Sequence, residues 1–269
     1  MLKTTRYELY NDECLKIMDT LIEKNVKVDA IIADIPQGIT KNNWDKPLAF
    51  NAMWDRLYKL RRNKNTPIIL FTNQPFTSKL ICSNDKHFKI MKYWEKDRPS
   101  GFLNAKRMPL KNVEEIAIFY EKPPVYNPQM IVGKPSHSIG KVNGESKCKN
   151  NNNYGNFARV EREGNLKYPK QILKYSRPHP PIHPTEKPVP LLKDLIMTYS
   201  NEGDVILDFT AGVISTGVAA LETNRRFIGI ELNEESFNKG VKRMRNTESL
   251  IMKGCKHKEN KSFRKSKSQ

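Results

Sequence analysis

Two carboxylates, each closing an apolar run, are the residues of this sequence best placed to do chemistry. Asp34 ends the run from Lys27 to Asp34 and is followed by Ile35-Pro36-Gln37-Gly38. A carboxylate there can accept hydrogen bonds or a proton from a ligand, although an Asp closing a strand is more often a cap or turn residue. Glu231 ends the run Arg226-Phe227-Ile228-Gly229-Ile230. It follows Gly212 by about 20 residues, the separation found in nucleotide-type sites of doubly wound sheets. In such a unit the turn after the first strand brings backbone close to the ligand, and the second carboxylate accepts hydrogen bonds from ribose hydroxyls. Spacing alone fits a structural β-α-β with a solvent-facing Glu equally well.

These residues need a scaffold, and the apolar patterning supplies one. Strands are expected at Lys27 to Asp34, Pro67 to Thr72, Ile90 to Trp94, Glu115 to Tyr120, Asp204 to Asp208 and Arg226 to Ile230. Helices are expected to end near Lys24 and to cover Asn51 to Arg61, Pro188 to Tyr199, Gly212 to Glu222 and about Glu234 to Arg245. Strands alternating with helices predict a mainly parallel sheet covered on both faces. From Lys122 to about Pro181 the rhythm breaks. Pro123, Pro124, Pro128, Gly133-Lys134-Pro135 and the run Lys149 to Asn153 cannot bury a continuous apolar face, so this stretch is loop or an irregular insert. The basic tail from Lys253 onward, almost without apolar residues, is expected to be disordered.

Lys and Arg number 47 against 29 Asp and Glu, a formal net charge of +18. Such an excess attracts a polyanion, with nucleic acid the default candidate. Solubility charge in a lysine-rich chain is the bland alternative. In the middle segment Tyr126, Tyr154, Phe157, Tyr168 and Tyr175 are interleaved with Lys and Arg, a mixture that can grip phosphates and stack on bases. Cys14, Cys82, Cys148 and Cys255 form no close pair; neither a zinc ribbon nor a disulfide framework is expected, and no metal. No apolar run approaches the ~18 residues needed to span a bilayer and no apolar leader follows Met1, so a cytoplasmic, membrane-free protein is expected.

The wording of several segments is specific. Asp208-Phe209-Thr210-Ala211-Gly212-Val213-Ile214-Ser215-Thr216-Gly217, with Arg225 to Glu231 after it and His183-Pro184-Thr185-Glu186-Lys187-Pro188 before it, resembles the cofactor region of DNA amino-methyltransferases. Asp34-Ile35-Pro36-Gln37 resembles that family's Asp-Pro-Pro-Tyr motif, and Trp44-Asp45 fits the loop after it in phage-type members. Phe71 to Phe76, Trp94 to Lys96, Gly101 to Lys106 and Tyr126 to Met130 are similar to family segments as well. The order, catalytic motif before cofactor motif, is that of the circularly permuted β group. The resemblance implies an α/β Rossmann-like S-adenosylmethionine-dependent methyltransferase fold: a mostly parallel sheet with one antiparallel strand and helices on both faces. It implies a catalytic half (1–121), a target-recognition insert (122–181), a cofactor half (182–252) and the basic tail (253–269).

The resemblance also assigns roles. S-adenosylmethionine is implied at Asp208, Phe209, Gly212, Ser215, Thr216, Glu231 and Lys187, and double-stranded DNA as the partner. Contacts to DNA are expected from Lys41, Trp44, Lys106, Arg107, Tyr126, Arg159, Lys170 and Lys174; monomer and homodimer stay open. An exocyclic base amine is conjugated with its ring and is a poor nucleophile. Asp34 and the carbonyl of Ile35 would accept its two N–H bonds and turn its lone pair toward the methyl donor.

Two departures accompany the match. Gln37 stands where an aromatic would stack on a flipped base, a loss worth roughly 1–3 kcal/mol. Val213-Ile214 replaces a Gly-Ser-Gly-like run; at a position needing φ > 0 a β-branched residue costs on the order of 1–3 kcal/mol, and a side chain intruding on the cofactor would add to that cost. Three functions therefore stand: an active methyltransferase, with adenine N6 favoured over cytosine N4; a catalytically silent DNA-binding relative; and an RNA-directed protein on the same scaffold.

Overall fold

The computed structural model describes residues 1–38, 46–134, 165–183 and 185–265, with 255–265 as backbone only. It divides into two compact units, Met1–Asn127 with Gln171–Gln269, and Pro128–Lys170. The large unit begins with β1 (Leu2–Lys3), β2 (Tyr7–Asn11), α1 (Cys14–Glu23), β3 (Ala30–Asp34), α2 (Phe50–Leu60), β4 (Ile68–Thr72), α3 (Phe76–Cys82), β5 (Phe88–Ser100) and β6 (Lys111–Phe119). The small unit contributes β7 (Ile131–Val132) and β8 (Leu166–Lys167), an exposed antiparallel pair. The chain returns to the large unit through β9 (Ile172–Lys174), α4 (Val189–Tyr199), β10 (Val205–Asp208), α5 (Ser215–Glu222), β11 (Arg226–Glu231) and α6 (Glu234–Lys265).

One nine-stranded sheet runs in the order β1-β2-β11-β10-β3-β4-β6-β5-β9. From β2 to β4 every pairing is parallel. β6 enters antiparallel to both β4 and β5, and the two-residue β1 is antiparallel to β2 at the far edge, so these two strands run against the other seven. The central strands are apolar on both faces because both faces are covered. Alternate residues go to opposite layers: Ile69 and Ile206 pack with α4, α5 and α6, whereas Leu70 and Leu207 pack with α1, α2 and α3.

The expected strands and helices are all present, with β5 reaching Ser100 rather than Trp94. β1, β2, α3, β7, β8 and β9 are additional. The sequence hides β2 because Tyr-Glu-Leu-Tyr-Asn mixes polar and apolar residues, yet Tyr7, Leu9 and Tyr10 are buried beside β11. Of the stretch expected as a disordered tail, 253–265 is helical and 266–269 lie outside the described residues. α6 continues to Lys265, because its Lys- and Glu-rich C-terminal stretch holds good helix formers and no proline.

Candidate functional site

The parallel strands β3, β4, β10 and β11 all end at the same edge of the sheet, where ligands of open α/β sheets bind. Asp34, Thr72, Asp208 and Glu231 are their last residues. Pairing of β10 with β3 sets the two sequence-distant motifs side by side. The Thr210 hydroxyl donates to the Asp34 carbonyl at 3.1 Å and ties the two loops together.

On the β10–β11 side, Glu231 accepts the Gly212 N–H on one oxygen and the Asn233 N–H on the other, each at 2.7 Å. Gly212 has φ +53, and a Cβ built there would meet nothing within 4 Å, so the turn faces open space. Asp208 accepts the Thr210 N–H at 3.1 Å and a bond from the Thr216 side chain. Burial, helped by the charges of Asp34 and Glu231 and opposed by those hydrogen bonds, pushes Asp208 up to about 7. Burial also raises Glu231, against its backbone donors. Phe209 lies within the apolar layer. Ser215 donates to Glu186 at 3.2 Å and accepts from Arg243 at 2.9 Å, while Arg243 pairs with the buried Glu186 at 2.6 Å. This triad clamps the segment before Lys187 onto α5 and α6.

The catalytic side carries a chain of charges. Lys187 pairs with Asp34 at 2.5 Å and Glu114 at 3.4 Å, and lies 5.3 Å from the centre of the Phe71 ring. Glu114 also pairs with Lys96. Lys187, Glu114 and Lys96 are nearly buried, and their charges alternate in sign, which is what lets them persist out of water. Burial raises the Asp34 pKa and Glu114 adds to this, while Lys187 opposes it. Burial alone would lower Lys187, but the two carboxylates outweigh that and push it up to about 12. Glu114 feels burial upward, yet Lys187 and Lys96 hold it below the usual carboxylate range. Lys187, assigned to the cofactor by resemblance, thus sits on Asp34. Lys96, which ends the family-like segment Trp94 to Lys96, and Glu114 were not among the site candidates; no local signal marks Glu114, and only the reversal of β6 brings it to Asp34. Ile35 is buried, Pro36 partly so, and the Gln37 amide donates to the Phe71 carbonyl at 3.4 Å.

The direction of the Ile214 side chain decides whether it burdens the cofactor turn. Its φ of 59° and ψ of 39° are left-handed as anticipated. Its side chain, however, is 1% exposed and lies in the layer beneath α5 and α6. A Cβ on Gly240 would come within 2.4 Å of its Cγ1, and one on Gly217 within 2.6 Å of its Cγ2. Two missing side chains therefore make room for Ile214 on the core side, which leaves the silent-relative alternative with Gln37 alone of the two altered motifs it leaned on.

Among the DNA candidates, Lys106 and Arg107 are exposed just beyond β5. Lys174 is exposed on β9 and pairs with Glu95 at 2.9 Å. Lys170 is exposed in the small unit. Tyr126 is 52% exposed. It packs on Tyr199, and Asn127 beside it bonds the carbonyls of Met197, Thr198 and Ser200, at the end of α4 remote from Lys187. Lys41, Trp44 and Arg159 lie outside the described residues. Among the described residues no helix is long and apolar enough to cross a membrane, and no group of His, Cys, Asp or Glu is arranged to hold a metal ion.

Comparison with known proteins agrees with this geometry. DNA adenine methyltransferase YhdJ of Escherichia coli (strain K12) is 48% identical over 62 residues, 23% of this chain and 21% of that protein. Curated relatives are matched over only 21% to 32% of their own lengths. The structure of the M1.HpyAVI-SAM complex superposes with a TM-score of 0.60 at 23% identity, covering 88% of this chain and 99% of that one. The cytosine-N4-specific PvuII DNA methyltransferase gives 0.57 at 12% identity over 94% of each. At these identities the likeness is one of fold. A family model described as DNA methylase matches residues 28–242. That match takes in the strand carrying Asp34 and the β-α-β unit carrying Glu231 alike, and the chain belongs to the N6/N4 DNA methylase family.

Proposed function

We propose that the chain methylates an exocyclic amine of a base in double-stranded DNA, adenine N6 in preference to cytosine N4, with S-adenosylmethionine as donor. The carrying observation is the placement of Asp34, 32% exposed and steadied by Lys187, one strand away from the open turn at Gly212. That turn fits the cofactor: Gly212 offers an unobstructed approach, and Glu231 is held by two N–H groups with lone pairs left for ribose hydroxyls. Asp208 is buried without a cationic partner and suits a hydrogen-bond-donating ligand. When bound, S-adenosylmethionine supplies an electrophilic methyl group on a sulfonium.

The protein's own groups then do the following. Asp34 and the Ile35 carbonyl accept the two amine hydrogens, orient the nitrogen lone pair and draw it out of conjugation. As the new N–C bond forms, the amine proton passes to Asp34 or through it to solvent. Lys187 fixes the carboxylate and keeps it from turning away. Asp34 and Glu231 place two carboxylates in the cleft of a positively charged protein, favouring a sulfonium within and a polyanion around it. A cytoplasmic location follows from such a substrate. Transfer of tritiated methyl groups from S-adenosylmethionine to unmethylated genomic DNA tests this reading. Incorporation into DNA that Asp34→Ala abolishes is expected; incorporation undiminished in Asp34→Ala, or none by the native chain, sinks it.

A further inference from the structure

β5 and β6 do not stop at the sheet edge. Asp34 is level with Phe71, and Phe71 with Ile116, whereas β6 begins at Lys111, opposite Ser100. The five residues from Ile116 back to Lys111 carry the hairpin roughly 15 Å beyond Asp34 at the usual rise of about 3.3 Å per residue. That exceeds the depth of the DNA major groove, about 8.5 Å.

The tip of this finger is both apolar and fixed. Phe102 is 77% exposed, Leu103 84% and Met108 59%. Large apolar side chains so exposed, side by side, mark a contact surface rather than a packing failure. The turn is held by four backbone bonds: Asn104 N–H to Gly101, Ala105 N–H to Phe102, and both Arg107 and Met108 N–H to Asn104, all between 2.8 and 3.1 Å. Gly101, at φ +86, permits its entry. Phe102 and Leu103 are therefore presented on a preformed turn. Lys106 and Arg107 follow them and Arg98 precedes them, all exposed. At the root, Asp97, Arg98, Arg177 and His179 line a hollow of about 160 Å³, and the Arg177 Nε there is buried without a hydrogen-bond partner.

Building on the methyltransferase reading, we infer that this finger is a DNA wedge. Phe102 and Leu103 enter the base stack where the target nucleotide leaves it, and Lys106, Arg107 and Arg98 take the flanking phosphates. Apolar wedges that unstack a step use this combination of apolar tip and basic flanks, and a base must leave the stack before its amine reaches a carboxylate set at the end of a sheet strand. A second copy of this chain is the poorer occupant, because a symmetric contact would set the cationic flanks of the two tips against each other.

The test is methyl transfer by the full chain to unmethylated genomic DNA, native and heat-denatured. The double variant Phe102→Ala/Leu103→Ala alters only exposed side chains. It is expected to lose ten- to a hundredfold in kcat/KM on native DNA and less than threefold on denatured DNA, where no stack has to open. Lys106→Ala/Arg107→Ala is expected to weaken both substrates together and flatten the salt dependence. Full activity of the apolar double variant on native DNA overturns the wedge, as does equal loss on both forms. So does conversion of a native dimer to a monomer, which would make the tip a subunit interface. A native chain that transfers to neither form fails the methyltransferase reading itself, a different result from any of these.

Discussion

Ile214→Gly restores the glycine that the family pattern places in this turn, and two opposed effects decide its outcome. The substitution removes a left-handed conformation that costs an L-residue roughly 1–2 kcal/mol. It also deletes a side chain that is fully buried in the layer beneath α5 and α6. Large-to-small changes at such positions cost about 2–5 kcal/mol, and the added freedom of glycine in the unfolded chain contributes roughly 0.5–1 kcal/mol more. The neighbours cannot refill the space, since the atoms facing it are Gly217 and Gly240. Loss wins, and a net destabilisation of about 1–4 kcal/mol is expected, lowering Tm by roughly 2–4 °C for each kcal/mol. Urea and thermal unfolding measure it. Gly240→Ala provides the internal control. In the native background its Cβ collides with Ile214, whereas in the Ile214→Gly background it should gain the roughly 1 kcal/mol by which a helix prefers alanine to glycine. A change of sign between backgrounds is the expected result. Calorimetry with S-adenosylmethionine should give affinities within about threefold for native and Ile214→Gly proteins, as the side chain faces the core. A more stable Ile214→Gly protein, or one binding the cofactor tenfold more tightly, would refute the packing argument.

Three further outcomes are expected. Asp34 must be ionised to accept the amine, so activity falls as pH drops through its raised pKa; Lys187→Met should move this acid limb of the kcat profile upward and Glu114→Gln downward, and shifts of the same sign in both would contradict the charge chain. Asp208, at about 7 when folded against 3.8 for the free side chain, stays protonated while the unfolded chain ionises. Native stability should therefore fall by about 1.4 kcal/mol per pH unit between pH 4 and 7, up to about 4 kcal/mol in all, a slope missing from Asp208→Asn in urea titrations. Gln37→Tyr, by restoring a ring face for the flipped base, should lower KM for DNA roughly tenfold to a hundredfold; no change would place position 37 away from the base.

What the sequence discloses depends on how local the cause is. The apolar runs of β3, β4, β10 and β11 announce themselves, because strands buried on both faces have no polar alternation to dilute the pattern. The Gly212–Glu231 spacing is equally local, and the structure joins the two through a single hydrogen bond. Glu114 lies in a strand with no motif of its own, and its role exists only because β6 runs backward beside β4. For Ile214 the backbone demand was visible, but the direction of its side chain was not, since that direction is set by the absent side chains of Gly217 and Gly240. Composition set Tyr126 among the lysines, but its packing on Tyr199 depends on α4, which no local pattern around Tyr126 discloses.

The pairing of β3 with β10 also bears on how the protein comes into being. Asp34 and Thr210, bonded in the finished molecule, are 176 residues apart. At about 5–20 residues per second of synthesis, the edge of β3 waits roughly 10–35 s for its neighbour to emerge. During that interval the chain from β3 to β6 can form one flank of the sheet, with β3 as an unpaired apolar edge open to other chains. The order of motifs that defines this branch of the family thus sets a period of vulnerability on the ribosome, and withholds any finished active site until β10 has been made.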